Sequence, residues 1–374
     1  MTRPLDGILV LSLEQAIAVP YCTRQLADLG ARVVKIERPD GGDFARAYDT
    51  RARGLASHFV WTNRSKESPV LDLKQPDELD IVNRLIARAD IFVQNLAQGA
   101  ADRLGLASAE LRTVHPRLIT CAISGYGKGG SWEDRKAYDL LIQAEREEVA
   151  KAGISIGDIA AGTMAFQGIL AAIIQRGRTG KGDHIEVSML EAMAEWMGYP
   201  MYYALDGASP PPRAGAGHGT IFPYGPYRTA DGTILFGLQN DREWAAFARV
   251  VLQRPELAAD ERFKRNRGRA AHRDEVQAAI EDRFSGLSTA DVVVRLAEAG
   301  IATARVNDMG ASATCRAGPM GRGRDRGGAL PVLKPLTGEG WEACLNPIPE
   351  QGEHNAKILA ELGLPADQPE HRNS

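Results

Sequence analysis

A single acidic side chain stands at the start of the longest apolar segment of the chain. In GISIGDIAAGTMAF (153–166), Asp158 follows a short β-branched run and a glycine, and the apolar segment continues to Ile174. Aspartate is a favoured residue at the N-cap of a helix. The same place suits a nucleophilic carboxylate, because a helix N-terminus stabilises negative charge and offers N–H groups to an oxyanion. The pattern leaves both roles open, and one side chain can serve both.

Composition limits what such a carboxylate could act on. The 374 residues are 44% hydrophobic and 25% charged, with a formal net charge of −3. This is typical of a globular protein with two domains, or with one large domain and an insertion. A basic field over the whole surface is absent, so we expect no nucleic-acid partner. An anionic ligand would need local clusters of Arg and Lys.

Several other kinds of site find no support in the sequence. The four cysteines form no CxxC pair and indicate reduced thiols of a cytoplasmic protein. The seven histidines never stand at metal-ligand spacing, so we expect no metal. The N-terminus lacks the apolar core of a signal peptide, and no run approaches the ~18 apolar residues of a membrane helix. We also find no GxGxxG, P-loop or GxSxG motif.

Strands and helices alternate along the first half of the chain. Compact apolar runs predict parallel strands, and the segments between them predict helices. The pattern favours an α/β fold with a Rossmann-like large domain and a mainly parallel sheet. The segment after Asp158 is apolar nearly all round and predicts a buried helix. The predicted strands are Gly7–Leu13, Ala31–Glu37, Ile91–Leu96, Arg117–Ser124 and Asp183–Leu190.

The composition changes after the first two hundred residues. A Pro- and Gly-rich stretch, DGASPPPRAGAG (206–217), predicts a linker, and a smaller α/β domain follows it. The stretch CRAGPMGRGRDRGGALP (315–331) has no periodicity and is interpreted as an exposed loop.

Seven segments, taken together, resemble one family. They are PLDGILVL, GARVVKIERPDGGDFAR, NRSKESPVLDLK, VQNLAQGAADRLGL, KAYDLLIQAE, GISIGDIAAG and RTGKGDHIEVSML. Their order and spacing resemble the class III CoA-transferases of the formyl-CoA transferase and carnitine CoA-transferase (CaiB/BaiF) type, a group that includes the α-methylacyl-CoA racemases. The resemblance covers nearly all of residues 1–310.

The resemblance implies an architecture as well as an activity. It implies a large Rossmann-like domain built from residues 1–205 and 332–374, a linker at 206–224 and a small inserted domain at 225–331. It also implies an interlocked homodimer. Coenzyme A would be bound as a thioester substrate, with no permanently bound cofactor.

The family's nucleophile, the aspartate of a GD–small–small–G motif, matches Asp158. A carboxylate attacks the acyl-CoA carbonyl and gives a mixed anhydride, and the released thiolate returns to form an aspartyl-CoA thioester. The acceptor acid then reverses these steps. The family's CoA contacts match Ala16, Ile17, Arg38, Leu71, Lys74, Asn95, Leu96, Arg103 and Lys136.

The residue before Asp139 separates transfer from racemisation. In the racemase branch this residue is a histidine that moves a proton, whereas this sequence has Tyr138. Tyrosine ordinarily has a pKa of about 10 and is a poor general base near neutral pH. Transfer is therefore favoured, with the racemase or epimerase activity as the alternative.

The acceptor is expected to be a short dicarboxylic acid. The segments SLEQAIAVPYCTRQLADLG, AEWMGYPMYY and HGTIFPYGPYRTADG resemble the branch that handles C4–C5 dicarboxylates such as mesaconate, itaconate and succinate. A second carboxylate needs a cation, and the candidates are Arg24 and Arg64. Tyr138, His218 and Tyr224 are further candidates for the substrate pocket.

One departure from the family pattern motivates a third hypothesis. Asp139 and Asp158 are only 19 positions apart, and the corresponding connection in the family is longer. A catalytically impaired CoA-binding homologue is therefore a further alternative.

Overall fold

The computed structural model describes residues 2–144, 152–212, 214–305, 321–325, 328–333 and 335–365. Contacts between Cα atoms group the chain into two compact units, Met1–Met197 with Gly318–Ser374, and Gly198–Ala317. The segment 206–224 belongs to the second unit in this division. The limits derived from the sequence, with a linker at 206–224 and a small domain at 225–331, remain a proposal.

The first unit is built on a six-stranded parallel sheet in the order β3-β2-β1-β4-β5-β6. The five strands predicted from the sequence are confirmed with shorter ends, and the two-residue β3 is added at one edge. Each central strand is almost entirely buried, because helices cover both faces of the sheet. The strands are β1 (Leu9–Leu13), β2 (Arg32–Lys35), β3 (Lys66–Glu67), β4 (Ile91–Gln94), β5 (Ile119–Ser124) and β6 (His184–Ser188).

The helices α1–α8 of the first unit lie between and after the strands in α/β alternation. One hydrophobic core lies under the first and seventh of these helices, and another lies under the third and fifth on the other face of the sheet. A short helical turn, Phe44–Ala47, follows β2. The helices are α1 (Ala18–Asp28), α2 (Ser57–Asn63), α3 (Pro76–Ile86), α4 (Ala100–Arg103), α5 (Ser108–Val114), α6 (Asp139–Ala144), α7 (Ile156–Thr179) and α8 (Met189–Trp196).

The strand order reverses between β1 and β4. From β1 the sheet grows through β2 and β3 in one direction, and through β4, β5 and β6 in the other. The connections that follow β1 and β4 therefore diverge and leave a crevice outside the carboxyl ends of these strands. In open parallel sheets this switch point is where ligands bind.

Helix α7 carries Asp158 and differs from the prediction in two ways. Asp158 is the third residue of the helix, because Ser155 occupies the N-cap, so the capping role is not confirmed. Only one face is fully buried, through small residues such as Ala160, Ala161 and Ala165, whereas Ile174 is 59% exposed.

By length and composition α7 could also cross a membrane, so the expectation that no segment reaches this length was wrong. The same properties are typical of a core helix, and the buried face of α7 packs against α1.

The second unit has its own sheet and core. Three antiparallel strands, in the order β7-β8-β9, are covered by helices, and the core contains Phe236, Trp244, Phe247 and Phe284. The strands are β7 (Tyr224–Arg228), β8 (Thr233–Gly237) and β9 (Thr303–Arg305). The helices are α9 (Gly198–Tyr203), α10 (Asp241–Ala246), α11 (Glu256–Ala259), α12 (Asn266–Ala271), α13 (Arg273–Ser285) and α14 (Thr289–Glu298), with helical turns at Leu205–Gly207 and Phe247–Val251.

The stretch interpreted as an exposed loop contains a hairpin. Strands β10 (Gly321–Asp325) and β11 (Gly328–Val332) pair in antiparallel register, so the loop prediction was wrong for these residues. Residues 315–320 of that stretch lie outside the described residues. Further along, α15 (Asn355–Glu361) returns to the first unit and buries Ile358 and Leu359 in the core that lies under α3.

Candidate active site

Asp158 lies in the first turn of α7, and a second aspartate secures that turn. The Oδ1 atom of Asp139 accepts a hydrogen bond from the backbone N–H of Gly157 at 2.8 Å, and its Oδ2 accepts one from Gln143 Nε2 at 2.7 Å. A Cβ atom at residue 157 would lie 3.1 Å from Asp139 Oδ1, so glycine gives the carboxylate room to approach. Asp139 thus performs the capping function that the sequence suggested for Asp158.

A side chain of α6 bonds to the backbone at Ala152, shortly before α7. Gln143 Oε1 accepts a hydrogen bond from the N–H of Ala152 at 3.0 Å, while its amide nitrogen binds Asp139. Residues 145–151 lie outside the described part of the chain. Gln143 of α6 and Ala152, just before α7, are therefore joined by a hydrogen bond beside the turn that carries Asp158.

The second turn of α7 is in close contact with the first turn of α1. A Cβ atom at Gly162 would lie 2.5 Å from the carbonyl oxygen of Ala18. Gly162 is four residues after Asp158, which is about one helical turn. The β1–α1 loop, Glu14–Ile17, is therefore held close to the turn that carries the nucleophile candidate.

Asn95 holds this loop from the neighbouring strand. Its Oδ1 accepts the backbone N–H of Gln15 and its Nδ2 donates to the carbonyl of Gln15, both at 3.0 Å. The next residue, Ala16, has a φ of +63°, in the left-handed region that favours glycine. The two predicted CoA-contact positions at Asn95 and Ala16 thus face each other across the switch point of the sheet.

A fully buried network of charges lies beneath the loop. Lys66 Nζ donates to Glu14 Oε1 at 2.6 Å and to Asn63 Oδ1 at 3.1 Å, and Lys35 Nζ donates to the same Asn63 oxygen at 2.9 Å. Burial disfavours the charged form of Glu14, but Lys66 and Lys35 outweigh it, so the pKa of Glu14 is lowered. Burial also lowers the pKa of Lys66 to about 8, although Glu14 opposes this. The network fixes the ends of β1, β2 and β3 relative to one another.

Glu37 forms a second buried pair just after β2. Its carboxylate accepts two hydrogen bonds from Arg46, at 2.6 and 2.8 Å, and one from Ser68 Oγ at 2.5 Å. Burial alone would raise the pKa of this carboxyl group. The bonds to Arg46, together with the charge of Lys35, outweigh burial and lower the pKa to about 2.

Tyr48 is a further candidate for the site, and the sequence did not reveal it. Its ring packs edge-on against His58, with centroids 5.5 Å apart, and contacts Phe44. Partial burial and the negative charges of Asp43 and Asp158 raise the pKa of the Tyr48 hydroxyl to about 12. The segment DFARAYDTR matches no catalytic motif. The signal that could have drawn attention to it is Lys35, which directly follows two buried valines in β2 and is itself buried, so that its charge requires buried partners nearby.

The predicted CoA contacts all follow carboxyl ends of strands of the first unit. Ala16 and Ile17 follow β1, Arg38 follows β2, Leu71 and Lys74 follow β3, Asn95, Leu96 and Arg103 follow β4, and Lys136 follows β5. Because parallel strands end at one edge of the sheet, the positions that come directly after a strand, such as Ala16 and Asn95, lie at that edge. The cationic side chains Arg38, Lys74, Arg103 and Lys136 are exposed, and Leu71 is buried. Their contact with CoA remains a prediction.

Arg24 and Arg64 lie elsewhere. Both guanidinium groups are buried and bind the carboxylate of Asp28, Arg24 at 2.7 Å and Arg64 through two bonds of 2.7 and 2.8 Å. Asp28 is the last residue of α1, about 15 Å along the helix axis from the end that meets the crevice. This geometry disfavours the predicted role of both arginines in substrate binding, which remains untested, and favours a structural one.

The other substrate candidates divide between the two units. Tyr138, in the first unit, is 64% exposed and immediately precedes the buried Asp139. His218 and Tyr224, in the second unit, stack on each other with ring centroids 5.5 Å apart. His218 Nδ1 also accepts backbone N–H groups from Thr220 and Ile221. Their role in a substrate pocket remains a prediction.

Within the part of the chain that the structure describes, no group of three or more His, Cys, Asp or Glu side chains could hold a metal ion. The three described cysteines, Cys22, Cys121 and Cys344, are free thiols, and Cys315 lies outside the described residues. The cytoplasmic location remains a prediction.

Comparison with known proteins connects this geometry to a family. Residues 5–319 match the model of CoA-transferase family III. A succinate–glutarate CoA-transferase of Agrobacterium fabrum is 31% identical in an alignment of 386 positions, which covers 96% of this chain and 96% of that protein. A succinyl-CoA:mesaconate CoA-transferase of Haloarcula hispanica is 34% identical in an alignment of 298 positions, which covers 74% of each chain. The crystal structure of a CAIB/BAIF family protein from Brucella suis superposes with a TM-score of 0.81 at 31% identity, covering 97% of this chain and 100% of that one. This chain therefore belongs to CoA-transferase family III.

Proposed function

We propose that this enzyme moves CoA from an acyl-CoA thioester to a free C4–C5 dicarboxylic acid, with Asp158 as the temporary carrier. The observation that carries the proposal is the position of Asp158, in the first turn of α7 beside the β1–α1 loop. The names of the relatives from Agrobacterium fabrum and Haloarcula hispanica, which act on succinate, glutarate and mesaconate, support the choice of dicarboxylates.

The proposed reaction has two symmetrical halves. The Asp158 carboxylate attacks the thioester carbonyl, the C–S bond breaks, and a mixed anhydride and CoA thiolate form. The thiolate attacks the Asp158 carbonyl of the anhydride, which releases the donor acid as a carboxylate and leaves an aspartyl-CoA thioester. The acceptor carboxylate then attacks that thioester, and the thiolate returns to the acceptor acyl group. No proton is transferred, so the steps need no general base.

The helix terminus gives this carboxylate a suitable setting. The N-terminal end of α7 stabilises the negative charge of Asp158 and of the oxyanions that form on it. Asp139 and Gly157 keep that turn in place. We propose that Ala16, Ile17, Leu71, Asn95 and Leu96 border the bound CoA. In the same proposal, Arg38, Lys74, Arg103 and Lys136 bind its phosphate groups.

Racemisation and loss of activity are the alternatives. Racemisation needs an acid–base pair beside the α-carbon, and the residue in front of Asp139 is the exposed Tyr138. An impaired homologue would bind CoA without turnover.

One experiment separates the three functions. The protein is incubated with succinyl-CoA and free mesaconate, itaconate or glutarate in deuterated water, and the acyl-CoA products are identified by mass. Transfer predicts a new acyl-CoA without deuterium at the α-carbon. Racemisation predicts deuterium without transfer, and binding without either product indicates an impaired homologue.

The intermediate is tested by trapping. Hydroxylamine added during turnover is expected to convert the Asp158 side chain to a hydroxamate, which peptide mass spectrometry locates. Asp158→Ala is expected to lower transfer by about a thousandfold or more, because the covalent route is lost. Full activity in this variant, or an unmodified Asp158 in an active preparation, would refute the mechanism.

We also propose that the enzyme is a homodimer. Large apolar side chains are exposed in each unit: Ile174 and Trp196 in the first, and Met201, Tyr202 and Leu205 in the second. A contiguous exposed apolar surface marks an association site, and we propose that these side chains take part in such a surface. Light scattering coupled to size-exclusion chromatography is expected to give twice the chain mass of 40.4 kDa. A mass equal to one chain would refute the dimer.

A further inference from the structure

One buried carboxylate, that of Asp43, joins two segments beside the crevice. Its Oδ1 accepts the backbone N–H of Ala16 at 3.0 Å and the backbone N–H of Ala45 at 2.9 Å. Its Oδ2 accepts the ammonium group of Lys35 at 2.6 Å. Asp43 is only 1% exposed, and Glu37 Oε2 accepts its own backbone N–H at 2.8 Å. Both oxygens are therefore fixed in position and direction.

The first of the two segments is strained. Ala16 has a φ of +63°, a region that a residue with a Cβ atom rarely adopts and keeps only when its surroundings hold it there. Asp43 holds the N–H of Ala16, and Asn95 holds both backbone polar groups of Gln15. The two side chains thus fix adjacent peptide groups of the β1–α1 loop.

The second segment leads to Tyr48. Ala45 belongs to the helical turn Phe44–Ala47, and Asp43 is the N-cap of that turn. The residue after the turn is Tyr48, whose hydroxyl lies within the electrostatic influence of Asp158. One carboxylate oxygen therefore sets the position of the loop on one side and the start of the Tyr48 segment on the other.

We propose that Asp43 is a positioning residue of the transferase, which holds the β1–α1 loop and the Tyr48 segment in register around Asp158. Lys35 neutralises its charge so that the carboxylate can be buried in this place. The inference rests on the proposed function. It predicts that correct placement of these segments affects the chemical steps on Asp158 more than the binding of the donor CoA thioester.

A purely structural role would instead depend on the ion pair between Asp43 and Lys35. Two double variants separate the roles. Lys35→Met with Asp43→Asn removes the ion pair but keeps an oxygen that can accept the N–H groups of Ala16 and Ala45. Lys35→Met with Asp43→Ala removes both the pair and the acceptor. Lys35→Met alone is the control.

The first readout is hydrogen exchange at the amide of Ala16, which does not require activity. We expect exchange as slow as in the control for the Asn double variant, and exchange faster by about tenfold or more for the Ala double variant. The second readout is kinetic. For the Ala double variant kcat is expected to fall by about tenfold or more with KM for the acyl-CoA within about threefold of the control, whereas the Asn double variant keeps kcat within about threefold.

Equal exchange rates at Ala16 in the two double variants would overturn the positioning role, even in an active enzyme. Equal kcat values in the two would overturn it as well. A wild-type protein without transferase activity would instead refute the proposed function, so the two failures are distinguishable.

Discussion

The Oδ1 atom of Asp139 lies 2.8 Å from the backbone nitrogen of Gly157, the residue just before Asp158. The carboxylate that the sequence suggests as a possible helix cap is thus in the first turn of α7, and a second carboxylate from α6 performs the capping. The bond to the N–H of Gly157 is thus made by Asp139, in the turn that carries Asp158. The pair therefore links the short α6–α7 connection directly to the proposed chemistry.

Removing this cap should weaken the turn. We expect Asp139→Ala to lower the free energy of unfolding by about 1–2 kcal/mol and to reduce kcat, because the N–H of Gly157 loses its acceptor. Asp139→Asn, which keeps an acceptor oxygen, is the control and should lose less of both. Urea denaturation and steady-state kinetics measure the two effects. Equal losses of stability and of kcat in the two variants would show that the hydrogen bond to Gly157 does not account for the effect of Asp139.

The contact between α7 and α1 should leave no room for a side chain at residue 162. Gly162→Ala would place a Cβ atom 2.5 Å from the carbonyl oxygen of Ala18. We expect a loss of about 1–3 kcal/mol in stability, because backbone must move to relieve the overlap. Gly177 lies on the same helix with open space around it, so Gly177→Ala should stabilise by about 0.5–1 kcal/mol. Thermal denaturation of both variants measures the contrast, and equal melting temperatures would contradict the packing described here.

Glu37 should make the free energy of unfolding depend on pH in the acidic range. Its pKa is lowered to about 2 from an ordinary 4.5, because the bonds to Arg46 and the charge of Lys35 outweigh burial. A lowered carboxyl pKa contributes stability above about pH 4.5, and the contribution is lost as the pH falls towards about 2. The shift corresponds to something on the order of 3 kcal/mol.

Glu37→Gln should therefore be less stable than wild type at pH 7, and the difference should narrow as the pH falls below about 4.5. Urea unfolding midpoints at pH 7 and at pH 4 or lower test this. Glu110→Gln, at an exposed position on α5, is the control and should follow the wild-type curve. A Glu37→Gln deficit that stays constant with pH would argue against the buried pair.

The Tyr48 hydroxyl should assist transfer as a hydrogen-bond donor. We expect Tyr48→Phe to lower kcat/KM for the acceptor acid by about tenfold with little change in stability. Because the pKa of this hydroxyl is raised to about 12, it stays protonated through the alkaline range. The ratio of wild-type to variant activity should therefore be constant between about pH 7 and pH 10. A ratio that falls by half near pH 10 would indicate an ordinary tyrosine pKa and contradict the described environment.

The two buried arginines should affect folding and not affinity. Asp28→Asn leaves Arg24 and Arg64 buried without a full negative charge and should destabilise the protein by about 3–5 kcal/mol. Arg64→Met should lower the melting temperature while KM for the dicarboxylate stays unchanged. If KM rises about tenfold or more in a well-folded Arg64→Met protein, the role in substrate binding predicted from the sequence is restored.

Periodicity and apolar runs were enough to predict the sheet and α7. A strand that is buried on both faces of a parallel sheet appears in the sequence as a short, continuous apolar run. Motif order was enough to recognise the family. The loop prediction at 315–331 failed for the described strand residues, because β10 contains only Gly, Arg and Asp and carries no alternating apolar pattern. The burial predicted for the whole circumference of α7 also failed, because composition does not show which face meets a neighbour in the fold.

The candidate site was predictable only where it follows a motif. Asp158 stands in a recognisable motif, and the positions expected to contact CoA follow strand ends. Asp43, Tyr48 and the binding of Arg64 to Asp28 depend on contacts between distant segments, 36 positions apart in the case of Arg64 and Asp28. A charged residue at the end of a buried strand indicates that it has a buried polar or charged partner, but the sequence does not show which residue that is.

The two hydrogen bonds between the Asn95 side chain and the backbone of Gln15 restrict which residues position 95 can accept. The side chain must present an acceptor and a donor in one plane, at the length that spans two 3.0 Å hydrogen bonds to the same backbone unit. Aspartate offers no donor, serine is too short, and glutamine is longer by one methylene. We therefore expect asparagine to be the only residue tolerated at position 95. A mutational scan that measures growth should recover no other residue there.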